Sequence, residues 1–255
     1  MTKTELQEYL DFKVQQYNTT DFIESDPIQI PHRFAQKEDI EIVAFLVSTI
    51  AWGNRTMIIK SGERLLDIMG HAPYEFIQNY TADHHLNFVH RTFNGVDLDF
   101  FFRSLQAIYA TGGLEHAFSA HKEIEGMKGR IIHFREQFLQ TPHEKRSEKH
   151  ISNPAKNSAA KRINMFLRWM VRNDKQGVDF GIWNNISPAE LYLPLDVHTS
   201  KNARALGLIA RKQDDWKALE ELMIHLRQFD LNDPVKYDFA LFGIGAFEKE
   251  QTQRK

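Results

Sequence analysis

Residues 38–52, EDIEIVAFLVSTIAW, constrain this chain more than any other stretch, because apolar side chains fall nearly all round a helical projection of them. A helix of that kind cannot lie on a surface with one face in water; it predicts a central core helix buried on most sides. Residues 4–17, 55–70, 97–111, 127–140 and 214–229 carry apolar positions at helical spacing and predict amphipathic helices around it. Short helices are expected over 73–80, 114–121 and Ser200 to Leu206, with Gly70, the pair Gly112 and Gly113, and Gly207 as stops. Asp233 as N-cap and Pro234 at the first helical position predict a last helix through Phe242. Residues 18–34, with two prolines, read as an irregular connection. No series of alternating strands and no internal repeat is present, so the fold class is all-α, with about ten helices joined by medium loops.

The 255 residues suffice for one large domain or two small ones, and no clean linker divides them. The absence of cysteine excludes disulfides, thiolate zinc sites, cysteine-ligated iron–sulfur clusters and cysteine nucleophiles together. The mixed-charge amino terminus does not resemble a signal peptide, and no stretch approaches 18 uncharged apolar residues, so no membrane span and a cytoplasmic location are expected. A formal charge of −2 hides an uneven distribution: between Lys122 and Lys175, 13 Lys and Arg face 6 Asp and Glu, a local excess of +7. Such polarity fits a basic docking face, and equally a solvated loop.

The basic region holds the stretch with most chemical content. Residues 141–157 are charged and nearly free of large apolar groups, as expected of a surface loop. Read as a helix, 157–172 puts Ile163, Phe166, Leu167, Met170 and Val171 on one apolar face. Lys161, Met165, Arg168 and Arg172 form a mostly cationic stripe opposite, with Lys161 in the first turn. The helix dipole, Lys156 and Arg162 all favour the neutral amine at that position, and only a neutral lysine is a nucleophile. The same lysine also reads as an ordinary solvated charge. Further on, an irregular segment delivers Asp196, within Pro194-Leu195-Asp196-Val197-His198-Thr199.

Other candidates are balanced against ordinary roles. His84, His85 and His90 match no ligand spacing with a physical rationale, so no metal is expected and exposed loop positions are. Trp52 offers a stacking face beyond the buried helix, whereas Trp169 and Trp183 read as core. His198 reads as a helix cap.

NSAAKRINMFL followed by PLDVHTSKNARALGL resembles the helix–hairpin–helix DNA glycosylase superfamily, most closely its archaeal 8-oxoguanine DNA glycosylase branch. That branch separates its lysine and aspartate by somewhat over 30 residues and precedes the aspartate with Pro and an aliphatic residue, as Lys161, Pro194, Leu195 and Asp196 do. The whole chain is also similar to a bacterial family of unknown function. The superfamily resemblance implies one compact α-helical unit over 1–255, made of two lobes with a cleft that takes a flipped base. It implies a Schiff-base nucleophile at Lys161 and, at Asp196, a carboxylate that opposes cationic charge at the sugar. By the same likeness, Asp238 and Phe242 recognise the base, and Lys156, Asn157, Ser158 and Arg162 meet the DNA backbone through a hairpin over 153–160. That hairpin has no glycine, which predicts a left-handed Asn157 in its place.

The expected activity is therefore base-excision repair: an N-glycosylase with AP lyase activity on an oxidised purine or other altered base in double-stranded DNA. The enzyme would work as a monomer without a cofactor. The alternative is a non-catalytic nucleic-acid-binding protein that retains the fold. A metal hydrolase built on Asp196, His198 and the loop histidines is the third reading.

Overall fold

The structure is a computed structural model that describes residues 1–83, 85–119 and 125–248. Among the described residues it holds twelve α-helices and a single two-stranded hairpin, so the all-α expectation stands. In chain order the helices are α1 (Lys3–Tyr17), α2 (Asp21–Ser25), α3 (Lys37–Ile50), α4 (Arg55–Ile68), α5 (Pro73–Gln78), α6 (Gly95–Tyr109), α7 (Gly113–Phe118), α8 (Gly126–Phe138), α9 (Lys161–Val171), α10 (Val197–Ala205), α11 (Trp216–Phe229) and α12 (Tyr237–Gly243). Strands β1 (Val89–His90) and β2 (Phe93–Asn94) pair antiparallel inside the histidine-rich connection. None of the described helices is long and apolar enough to cross a membrane.

The chain divides into two compact units, residues 23–153 and residues 1–22 with 154–255. The first is organised as 38–52 predicts: every residue from Ile40 to Ile50 in α3 is buried. The one carboxylate in that run, Glu41, tolerates burial because the Tyr109 hydroxyl donates to it at 2.7 Å and the Lys37 ammonium lies 3.8 Å away. Phe45 of α3 packs on Phe101 of α6 and on Phe134 and Phe138 of α8. Each such ring taken out of water contributes about 1.5–3 kcal/mol.

Two expectations for this unit change. Residues 141–157 are not simply a surface loop: within this unit they form a 3-10 turn at Lys145–His150 and bury Ser147, His150 and Ile151. The cause is Asp97, a buried carboxylate in the first turn of α6. It accepts from Ser147 Oγ at 2.6 Å and Arg146 Nη1 at 3.0 Å, and His150 Nε2 lies at 3.3 Å. His90 is likewise not an exposed loop residue: it is buried, shares a 2.8 Å hydrogen bond with Ser61 Oγ, and faces the Trp52 carbonyl at 3.3 Å. His85 is exposed as expected, whereas His84 and the end of the 114–121 helix, residues 120 and 121, lie outside the described residues.

In the second unit α1 packs along α12, and α12 also packs on α10. Gly243 permits the first contact, since a Cβ there would lie 2.2 Å from the Tyr17 ring. Asp233 does not cap the last helix. Its carboxylate is drawn instead to Arg172 Nε at 2.9 Å, and a 3-10 turn over Pro234–Lys236 precedes α12.

Candidate functional site

α9 begins four residues later than its apolar periodicity implies, because the chain turns at Asn157, φ 65°, and again at Ala160, φ 47°, before Lys161 enters the helix. The left-handed Asn157 is the conformation anticipated for a hairpin without glycine. The apolar face is buried as predicted, through Ile163, Phe166, Leu167, Met170 and Val171. The opposite stripe is not the solvated cationic face that the spacing suggests. Arg168 and Arg172 are only 4% and 2% exposed.

Their burial is tolerated because carboxylates from the segment just after the helix and from residues 233–238 surround them. Arg168 donates through Nε to Asp179 at 3.2 Å and through Nη1 to Asp238. Arg172 donates to Asp179 at 3.1 Å, Asp233 at 2.9 Å and Asp174 at 2.6 Å. Both guanidiniums also lie over the Phe239 ring, at 4.5 and 5.3 Å. Two of the 13 cations between Lys122 and Lys175 are thus neutralised inside the protein. Asp174 and Asp179 carry no signal in the sequence and Asp233 reads there only as a helix cap, since only the folded chain brings the three to one helix face.

Lys161 and Asp196 do meet. Lys161 Nζ lies 3.8 Å from Asp196 Oδ2, with the side chains 37% and 13% exposed, so both groups reach solvent. Asp196 is the N-cap of α10 and accepts from the Thr199 amide at 2.7 Å, which fixes its carboxylate. Asp196 therefore takes the capping role, and His198, at the second helical position, is exposed with its ring 5.9 Å from Phe242. The amine thus faces a carboxylate, a partner that its neighbours in sequence do not suggest.

Asp238 lies behind this pair. It is buried, accepts from Arg168, and has Thr199 Oγ1 at 3.4 Å, so one threonine touches Asp196 through its amide and Asp238 through its hydroxyl. Burial pushes the Asp238 carboxyl up to about 7; Arg168 opposes the rise, Asp196 and Asp179 add to it, and Lys161 opposes it. Phe242, one turn further on α12, is half-buried against Phe22 at 6.1 Å and Phe247 at 6.3 Å. A π-helical turn over Ile244–Glu248 follows, and Gly245 is required there, since a Cβ would sit 2.9 Å from His198 Cβ.

Of the residues expected at the DNA backbone, Lys156 is exposed, Asn157 and Ser158 are partly exposed, and Arg162 is half-buried. Burial lowers the Arg162 guanidinium to about 10, which leaves it cationic at neutral pH. Trp52 belongs to the other unit, where its ring stacks on His150 at 6.0 Å and meets His90 edge-on at 5.1 Å. Trp169 and Trp183 are core, as expected. A cavity of about 550 Å³ beside Trp183 and Asn173 and one of about 690 Å³ beside Phe76 and Tyr80 contain none of the candidate residues. Among the described residues no three of His, Asp and Glu are grouped so as to hold a metal ion.

A family model described as "Protein of unknown function (DUF2400)" matches residues 26–247. No curated protein and no solved structure matches the chain.

Proposed function

We propose that this protein, which belongs to the DUF2400 family, is a DNA glycosylase with AP lyase activity that removes an oxidised purine or other altered base. The observation that carries the reading is the meeting of Lys161 and Asp196 at 3.8 Å, from segments far apart in sequence, with both groups open to solvent. An ammonium must lose a proton before it can attack carbon, and a carboxylate 3.8 Å away can receive it through one intervening water. As the N-glycosidic bond lengthens, the base leaves with the bonding pair and takes the proton from Asp196, and the sugar becomes cationic as Asp196 regains its charge. Asp196, held by the Thr199 amide, opposes that charge. The Lys161 amine bonds to C1′, a proton passes from its nitrogen to O4′ as the sugar ring opens to a protonated Schiff base, and loss of the C2′ proton to water expels the 3′ phosphate by β-elimination. Exposed Lys156 and the partly exposed turn at Asn157 and Ser158 supply groups for a phosphate beside this centre. The buried Asp238 is engaged by Arg168, so it acts on the centre through its charge, and Phe242 is the candidate surface for the base.

Borohydride trapping on duplexes carrying an abasic site, 8-oxoguanine or uracil tests the proposal. A covalent adduct is expected with the wild type and none with Lys161→Gln; Asp196→Asn should slow base release by about 10²-fold or more, as for loss of a charged transition-state partner. Salt-sensitive DNA binding with no adduct on any duplex would replace this reading with that of a non-catalytic nucleic-acid-binding protein.

A further inference from the structure

The turn that leads into Lys161 holds two non-glycine residues in the left-handed region, Asn157 at φ 65° and Ala160 at φ 47°, a conformation that L-residues adopt at a cost unless their surroundings enforce it. The enforcement comes from 58 residues away. Asn157 Nδ2 donates to Asp215 Oδ2 at 2.7 Å, the Trp216 amide donates to the Asn157 carbonyl at 3.0 Å, and Ser158 and Asp215 form an isolated antiparallel bridge. Within the turn, Ser158 Oγ accepts from the Ala160 amide at 3.3 Å, and the Asn164 side chain donates to the Ala159 carbonyl at 3.0 Å. Asp215 is itself fixed, by Arg211 Nε at 2.7 Å and by the Ala218 amide at 3.1 Å as the N-cap of α11. Hydrogen bonding from Arg211 holds its carboxyl well below the usual carboxylate range, so the acceptor remains charged across the working pH range.

We propose that Asp215 is a positioning residue for the reacting amine: it clamps Asn157 in the left-handed conformation a glycine would adopt unaided, with Ser158 bridged beside it, and so sets where Lys161 enters α9. The inference rests on the reading of Lys161 as nucleophile and adds to it a group that touches neither substrate nor amine.

The test separates the clamp from the cap. Asp215→Ser keeps an N-cap for α11 but is too short to reach Asn157, and Asn157→Gly lets the turn adopt its φ without a clamp. Single-turnover borohydride trapping at saturating abasic-site duplex should fall about 10- to 100-fold in Asp215→Ser, the scale of a small misplacement of a reacting group. Adding Asn157→Gly to that variant should recover most of the loss. A residue that only capped α11 would give no such rescue. Wild-type trapping in Asp215→Ser, or no recovery in the double variant, overturns the proposal. Should the wild type itself trap nothing, the nucleophile reading fails, and the clamp is judged by urea unfolding. A midpoint loss from Asp215→Ser that shrinks in the Asn157→Gly background keeps the clamp, and strictly additive losses reject it.

Discussion

Asp238→Asn tests the electrostatics behind the Lys161 and Asp196 pair. The carboxyl of Asp238 is raised from its ordinary value to about 7. A folded-state pKa above the unfolded one means that the native state binds the proton more tightly. Stability from this group is therefore fully present below about pH 3.9, the ordinary aspartate value, and is lost as the pH climbs through about 7. At about 1.4 kcal/mol per pH unit the full span is roughly 4 kcal/mol. Asparagine cannot ionise and loses none of it. It also weakens the contact with Arg168, a cost that shifts the whole curve without tilting it, because Arg168 keeps Asp179. Urea unfolding of both proteins at intervals from pH 4.5 to 8.5 measures the difference directly. The variant should gain on the wild type by about 3 kcal/mol, with nearly all of the change between pH 4.5 and 7, where the unfolded carboxyl is ionised and the folded one is not, and a plateau above about pH 8. A difference flat to within about 1 kcal/mol, smaller than one pH unit's worth, refutes the reasoning. A variant that instead loses ground as pH rises would mean that Arg168 outweighs burial and keeps the carboxylate ionised.

Three further outcomes follow from contacts already described. Ala160→Gly should stabilise the protein by about 1 kcal/mol in thermal or urea unfolding, since glycine occupies φ 47° without the Cβ penalty. Gly243→Ala should destabilise it by about 1–3 kcal/mol, because the added methyl would lie 2.2 Å from the Tyr17 ring of α1; a neutral result would mean that α1 and α12 separate easily. Arg172→Met should cost about 3–5 kcal/mol by leaving Asp174, Asp179 and Asp233 without their shared partner, and an unfolding midpoint equal to wild type would argue that these acids are solvated.

The helices were legible in the sequence wherever one short window carried the whole signal. α3 announced its burial because apolar residues surround it, and the apolar face of α9 followed from its 3.6-residue period. The bend at Asn157 was legible for a local reason too: a hairpin with no glycine must find another residue able to turn left-handed. The second face of α9 was not legible. Period identifies which side chains share a face, but not what covers that face, and Arg168 and Arg172 are covered by acids from residues 174–179 and 233–238. The same limit applied to 141–157, where composition indicated a solvated loop and the buried carboxylate of Asp97, far upstream, draws it inward. At the candidate site, Lys161 and Asp196 were chosen by their surrounding motifs. The roles of Thr199 and Asp215 depend on hydrogen bonds across the fold that no spacing encodes.

The pairing of α1 with α12 has a consequence for the order of events at the ribosome. Residues 23–153 form a contiguous unit whose partners all emerge together, whereas α1 belongs to a unit completed only by α12. At about 5–20 residues per second, Leu6, Leu10 and Val14 leave the exit tunnel roughly 10–50 seconds before the helix that covers them is made. During that interval the apolar stripe of α1 waits for α12, and the contacts that bury it have a sequence separation that makes their closure slow. Completion of the unit that holds Lys161 thus waits on α12, and a truncation that removes α12 would leave the contiguous unit intact while exposing α1 to chaperones and proteases.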